Sequence, residues 1–487
     1  MLVLSGCAST ALQGDQSPEV EVPGAWSDTE FSAGVGTLSL ARWWQCFDDT
    51  VLDRLVTQAL QSNTSVETAQ SVLQQARAMR DIAAAALWPT LTGSASAQHS
   101  KVSNNSNAGN NSNAGGNSSG STFQAGLNAN WVPDVFGANR SVLDAGVATV
   151  DARFASLGDT QVAISAEVGL SYILLRSAQA RLRIAADNLS SQQETLQITQ
   201  WRQQAGLVTA LEAEQARAAV EQTRAQIPTL QISIAQTGHA LAVLTGQPPD
   251  ALSSLLAAPR PVPQAKDDPA LGIPAETLRQ RADVRAAEYL VIAARARVEQ
   301  ADAARFPSFA LGGTLGLSAA TLGALSSGAT LMSSLLASVT LPIFDGGAAV
   351  AQVRSQQAAM EQARIAYHAT ILNALKEVED ALVALRSDRQ RLLFLRNAAD
   401  AAGNAAQMAR QRFSSGLVDF QVVLETQRAQ FSTQDSVASA SADLSSDFVR
   451  LFKALGGGWR PATTSIAMAP DAEPEAATAS PIRTSIP

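Results

Sequence analysis

The chain predicts a mixed α/β fold, mostly helical, built as two tandem copies of one unit. Three observations carry this. A pattern of residues recurs at a constant offset of 210, each copy contains a pair of alternating strands, and each pair leads into a long heptad run without proline. Glu167-Val168, Leu175-Arg176-Ser177 and Arg181-Leu182 return as Glu377-Val378, Leu385-Arg386-Ser387 and Arg391-Leu392. The same offset holds for Arg202 and Arg412, Leu241 and Leu451, and Gly246 and Gly456. A gapless repeat of this length is a duplication, not a solenoid.

The strands come first in each copy. Phe123, Ala125, Leu127, Ala129 and Trp131 alternate with Gln124, Gly126, Asn128 and Asn130, so one face is apolar and the other polar. A weaker run spans Leu91 to Gln98. In copy two, Phe309, Leu311, Leu315 and Leu317 share a face, and Leu335, Ala337, Val339 and Leu341 alternate with Leu336, Ser338 and Thr340. Pro133 and Pro342 suit the ends of strands. Ser103 to Ser121 consists only of Asn, Ser, Gly and Ala and reads as a solvated loop tip.

A long helix follows each pair, starting at Phe136-Gly137 and at Phe344-Asp345-Gly346-Gly347. Val168, Leu175, Leu182, Leu189 and Leu196 recur every seven residues, as do Ile371, Val378, Leu385 and Leu392, continued by Ala399 and Ala406. This is a coiled-coil seam, and about 68 residues at 1.5 Å each make a rod of roughly 100 Å. Gly206 and Gly416 fit the left-handed position after a helix end, and Thr209 and Asp419 are suited to cap the returning helix. Thr209 with Glu212 forms a capping-box pattern. Each copy is therefore expected to be a helical hairpin ending at Gly246 or Gly456.

With 487 residues and 46% hydrophobic side chains the chain can bury a large core, yet it has no run of 18 apolar residues. Strands with one apolar and one polar face are the other way to cross a bilayer. Trp88, Trp131, Phe306 and Phe344 at their ends suit an aromatic girdle. Four strands are too few for a barrel, so a membrane role requires several chains to share one. A soluble hairpin with a generic coiled coil shows the same alternation and stays open at this level. The N-terminal Leu4-Ser5-Gly6-Cys7 matches the bacterial lipobox, which makes Cys7 the expected lipid anchor and residues 1–6 a residual signal peptide. Cys46, between Trp44 and Phe47, reads as a buried small hydrophobe. The net charge of −8 argues against nucleic acid as a partner. His99, His239 and His368 have no metal spacing, and no nucleophile elbow, P-loop or dinucleotide fingerprint occurs, so neither an enzyme nor a cofactor beyond the lipid is expected.

Lipobox, duplication, strand pairs and hairpins together resemble the TolC-like outer-membrane efflux channels, in the lipoprotein branch that includes OprM and NodT. Trp43-Trp44-x-x-Phe47-x-Asp49, with Leu52, Leu55, Ala59-Leu60, Asn63, Ala69 and Ala76-Arg77, agrees with that family. So do Leu278-x-x-Arg281-x-Asp283-Val284, Ala287-Glu288 and Phe306-Pro307-Ser308, although Ala282 stands where the family has Pro. The resemblance covers roughly residues 4–459. It implies a homotrimer whose strands form a twelve-stranded barrel, continued by a twelve-helix periplasmic tunnel. Repeat one would be 88–246, with strands in 88–133 and the hairpin in 134–246. Repeat two would be 306–458, with strands in 306–342 and the hairpin in 343–458. Residues 7–87 and 247–305 would form equatorial segments, and 459–487 a disordered tail. The partners implied are outer-membrane lipid, a periplasmic adaptor and an inner-membrane transporter that delivers small toxic molecules. The adaptor would meet the tips Gly206-Leu207-Val208-Thr209 and Gly416-Leu417-Val418-Asp419, each exposing a Leu-Val pair. Glu425 and Arg428 would gate the entrance, with Gln421 at the family's hydrophobic ring position and Val422 beside it. A protein-secretion channel of the same fold, or a coiled-coil lipoprotein without a pore, are the alternatives.

Overall fold

The computed structural model describes residues 23–26, 40–102, 118–265 and 274–459. Cys7 and the signal segment, most of the Ser103–Ser121 loop and the tail beyond 459 lie outside the described residues.

Eight residues of 3-10 helix, Leu40–Phe47, precede α1 (Thr50–Ser62) and α2 (Thr64–Ala85). The first strand pair is β1 (Thr90–Val102) and β2 (Ser118–Trp131). The first hairpin is α3 (Ala138–Gln204) with α4 (Ala210–Leu244). Short helices α5 (Ser253–Leu256) and α6 (Pro274–Gln280) lead to α7 (Ala282–Ala303). Then come β3 (Ser308–Ala319), α8 (Ala324–Ser327), β4 (Thr330–Thr340), and the second hairpin α9 (Ala348–Ser414) with α10 (Phe420–Ala454). The long helices have 67 residues in both copies and the return helices 35, at the expected offset. At 1.5 Å per residue each long helix is about 100 Å.

The duplication also reaches upstream of the strands. Both α2 and α7 have 22 residues, with starts 218 positions apart, so the first strand pair carries eight extra residues. These two helices lie along the upper parts of the long helices, in the row α2–α3–α7–α9, while below them the row is α4–α3–α10–α9.

The two rows are spliced end to end. Asn63 caps α2, its Oδ1 accepting from Ser65 N at 2.8 Å, while its Nδ2 donates to the Leu244 carbonyl at the end of α4 at 2.8 Å. In copy two the same place is held by Arg281, whose Nη1 donates to the Ala454 carbonyl at 2.7 Å and whose Nη2 pairs with Asp283 and Glu377. Side chains thus satisfy carbonyls that a helix end leaves free. Gly246 is needed there: its φ is +70°, and a Cβ would meet the Ser62 carbonyl oxygen.

The main core sits at the splice level and absorbs the tryptophan motif. Trp43 stacks on Phe452 at 5.7 Å, and Gly169 leaves room for its ring. Asp49 caps α1 through Val51 N at 2.8 Å and accepts from Tyr172 Oη at 2.8 Å, and Trp44 Nε1 donates to Asp53. Burial and the Asp49 contact push the Tyr172 phenol up to about 12. Cys46 is buried in this core.

Candidate channel wall, tips and gate

The four strands form one antiparallel sheet in the order β1-β2-β3-β4. Directly paired residues of an antiparallel sheet share a face. The register aligns Gly93, Leu127, Leu315 and Ser333 on one face, and Thr92, Asn128, Thr314 and Ser334 on the other. Leu91, Phe123, Trp131, Leu311, Leu331, Leu335 and Val339 join the apolar face. The polar face is stitched by side chains: Asn128 Nδ2 donates to Ser94 Oγ at 3.2 Å, and the Thr314 and Ser334 hydroxyls lie 2.7 Å apart. Most of the large apolar side chains are exposed in the single chain, Leu335 at 88%. Aromatic rings gather at the helical end of the sheet, where Phe136 stacks on Phe306 at 5.0 Å and Trp131 Nε1 donates to the Leu87 carbonyl. Trp88 and Phe344 are exposed at the same end. Among the described residues no helix is long and apolar enough to cross a membrane.

At the opposite end lie the tips. Gly206 and Gly416 take φ of +71° and +75°, and Leu207 N and Leu417 N donate back to the carbonyls of Arg202 and Arg412. Leu207 and Leu417 are exposed at 73% and 74%. The expected second apolar residue of each tip differs, because Val208 and Val418 are half-buried. Val418 turns inward onto a cluster of Phe413, Phe420, Val423 and Leu424 that includes Ala216 and Ala219 of α4. Arg202 ties the two tips together, lying over the Phe413 ring at 4.4 Å and donating to the Ser414 carbonyl. Thr209 N donates to the Glu212 carboxylate at 2.7 Å, whereas Asp419 starts α10 without a side-chain cap bond.

The proposed gate residues stand on the first turns of α10. Glu425 and Arg428 are both exposed, and within the described chain no ion pair joins them. Gln421 is not idle: its Nε2 donates to Gln215 Oε1 of α4 at 2.7 Å. Val422 is 41% exposed.

One functional seam was invisible to the apolar heptad search. Below Ala185 the buried row on α3 is polar, with Asn188, Gln192, Thr195 and Thr199, while Leu189 and Leu196 are half-buried. The reason is that α3 is flanked by α4 on one side and α10 on the other. Toward α10 it presents Arg181, Asn188 and Thr195, which bond Asp435, Gln434 and Gln427. The two hairpins therefore meet through hydrogen bonds along the middle of their length, between apolar packing in the main core above and near the tips below. A search for polar residues at seven-residue spacing would have found this seam. In copy two the expected row holds, with Ile371, Val378, Leu385, Leu392 and Ala406 buried and Ala399 half-buried.

A family model described as outer membrane efflux protein matches the chain twice, over residues 55–247 and 273–457, one match for each copy. The chain belongs to the outer membrane efflux protein family. It is 31% identical to outer membrane protein OprJ of Pseudomonas aeruginosa over 459 residues, covering 94% of each chain. It is 29% identical to the toluene efflux pump outer membrane protein TtgF of Pseudomonas putida over 471 residues, covering 94% of this chain and 95% of that one. The solved outer-membrane channel OprN superposes with a TM-score of 0.81 at 32% identity, covering 92% of this chain and 100% of that one. VceC of Vibrio cholerae superposes at 0.77 with 26% identity, covering 86% of this chain and 99% of that one. This efflux family member is accordingly an outer-membrane channel component of an efflux pump, and its barrel is formed only in the trimer.

Proposed function

We propose that three copies of this chain make a passive conduit for small toxic organic molecules, handed over by an inner-membrane transporter through a periplasmic adaptor. The observation that carries this reading is the sheet: one face apolar, one face hydrogen-bonded and polar, two open edges, and a helical wall about 100 Å long below it. An unpaired strand edge in lipid costs several kcal/mol per group, and closed rotational symmetry removes both edges. The adaptor docks at Leu207 and Leu417, apolar side chains exposed at the far end of the wall. Entry is gated by Glu425 and Arg428, which recur in each subunit and so form rings, with Gln421 and Val422 beside them. Cys7 carries the lipid, a second anchor beside the barrel. The likeness to a toluene pump's channel supports cargo of low polarity. The test is a host lacking its own channel but retaining a cognate transporter and adaptor. This chain restores solvent and drug resistance there, and the purified protein conducts in planar bilayers. A protein that reaches the outer membrane yet neither conducts nor restores resistance would overturn the proposal.

A further inference from the structure

Between α3, α4 and α5 of repeat one lies a cavity of about 500 Å³. That is within the roughly 300–1,000 Å³ span of small-molecule sites. Its walls are mainly apolar, with Leu175 and Leu256 buried and Leu182 and Ile234 half-buried. Gly238 lies in the interior of α4, where glycine destabilises a helix relative to alanine. Close packing does not demand it, because a Cβ there would meet nothing within 4 Å. Its effect is to leave space. The return helices α4 and α10 are in register across the repeat, and in α10 the same place is filled. Phe448 stands there, 6% exposed, with Arg389 over its ring at 5.4 Å.

Charge narrows what can occupy the cavity. Arg183, His239 and Asp250 line it and are all exposed, so its rim is polar. Among the described residues none of these three side chains has a hydrogen-bond or ion-pair partner. A buried cation stands behind the wall. Arg176 is 0% exposed, and its Nη1 donates to Gln179 Oε1 at 2.7 Å and to the Ala258 carbonyl at 2.8 Å. Gln179 belongs to the cavity wall, and Ala258 lies between the lining residues Ala257 and Pro259. The guanidinium lies over the Tyr172 ring at 4.9 Å, while its Nε and Nη2 carry no hydrogen bond. No carboxylate pairs with it among the described residues, although buried charges are ordinarily paired. Nearby, Arg260 and Asp49 offset each other at 3.7 Å. Arg176 and Arg183 therefore outweigh Asp250, and the field at the cavity favours an anion. Guanidinium and imidazole N–H groups suit a carboxylate, whose charge-assisted hydrogen bonds are strong.

We infer that this cavity binds an amphipathic monocarboxylate, a free fatty acid whose chain lies against Leu175, Leu182, Ile234 and Leu256 and whose head group meets Arg183 and His239. The site is built within one hairpin, apart from the strands, the tips and the gate residues. The test uses full-length protein in lipid nanodiscs, so that no detergent competes for the apolar wall. The probe is dodecanoate carrying a diazirine on its chain, and labelled residues are read by peptide mass spectrometry. Labelling is expected on α4 around Gly238 and on α5. Unlabelled dodecanoate competes several-fold more strongly than dodecanol or dodecylammonium. Gly238→Phe, which copies the filler of repeat two, abolishes the labelling, whereas Gly238→Ala keeps the space and the label. Arg183→Leu weakens competition by the acid several-fold, and Asp250→Asn strengthens it. Labelling that persists in folded Gly238→Phe overturns the site. Dodecanol or dodecylammonium competing as well as the acid overturns the recognition of an anion. Wild-type protein left unlabelled on α4, as when a neighbouring subunit covers the cavity, overturns both. Where Gly238→Phe does not fold, the opposite shifts of Arg183→Leu and Asp250→Asn decide, and shifts of the same sign count against the proposal.

Discussion

Asp447 is buried on α10 with its Oδ1 bonded to Arg450 at 2.6 Å, while its Oδ2 has no partner other than the Asp388 carboxyl of α9. Burial first, and then Asp388, push its pKa up to about 6, against the attraction of Arg450. The folded protein thus holds this proton more tightly than the unfolded chain does. Its contribution favours folding in mild acid and is lost as pH rises from about 4 to about 6. The effect is bounded at roughly 3 kcal/mol, because each tenfold gain in proton affinity is worth about 1.4 kcal/mol. Asp447→Asn is expected to raise the melting temperature at pH 7.5 and to flatten the pH profile between 4 and 7. An unchanged profile in thermal unfolding would remove the shared proton. The splice offers a second residue-scale prediction. Asn63→Ala deletes a helix cap and the bond to Leu244, a loss of about 1–2 kcal/mol that a lowered midpoint in denaturant would reveal.

At the scale of elements, the two faces of the sheet make opposite demands. Arg at Leu127 or Val339 puts a charge on the apolar face and is expected to lower the yield of heat-resistant trimers on gels. Arg at Asn128 or Ser338 falls on the hydrogen-bonded face and should leave that yield near wild type. These strands were legible in the sequence because alternation of period two depends only on which side chains face out. The long helices were legible through their unbroken heptads and the glycines at Gly206 and Gly416. What could not be read was the neighbour of each helix. A heptad row names a buried stripe but not its partner, so the polar seam from Arg181 to Thr195 stayed hidden. The end-to-end placing of α2 on α4 was equally silent, since its bonds join residues 181 and 183 positions apart.

For the whole molecule, two kinds of side chain meet near the tips. The apolar cluster around Phe413 and Phe420 holds the hairpins where Arg202 crosses between them, and the exposed Glu425 and Arg428 lie close by on α10. Replacing Glu425 and Arg428 by Ala is expected to raise single-channel conductance in planar bilayers and to sensitise cells to vancomycin-sized molecules. Wild-type values of both would place the gate elsewhere. Leu207→Asp with Leu417→Asp changes only exposed side chains at the outermost turns. It should abolish resistance while trimers persist, and undiminished resistance would take the tips out of the adaptor contact.

The splices give the wall an unequal mechanics. Each subunit has two uninterrupted columns, α3 and α9, and two jointed ones, α4 under α2 and α10 under α7. Torque applied at the tips travels up an unbroken helix as twist, but at a joint it meets a few side-chain bonds that can swivel. The lower tunnel can therefore rotate its jointed columns about the fixed ones while the part beneath the barrel keeps its shape. Spin labels on α4 and α10 should change separation when the channel opens, and a pair on α2 and α7 should not.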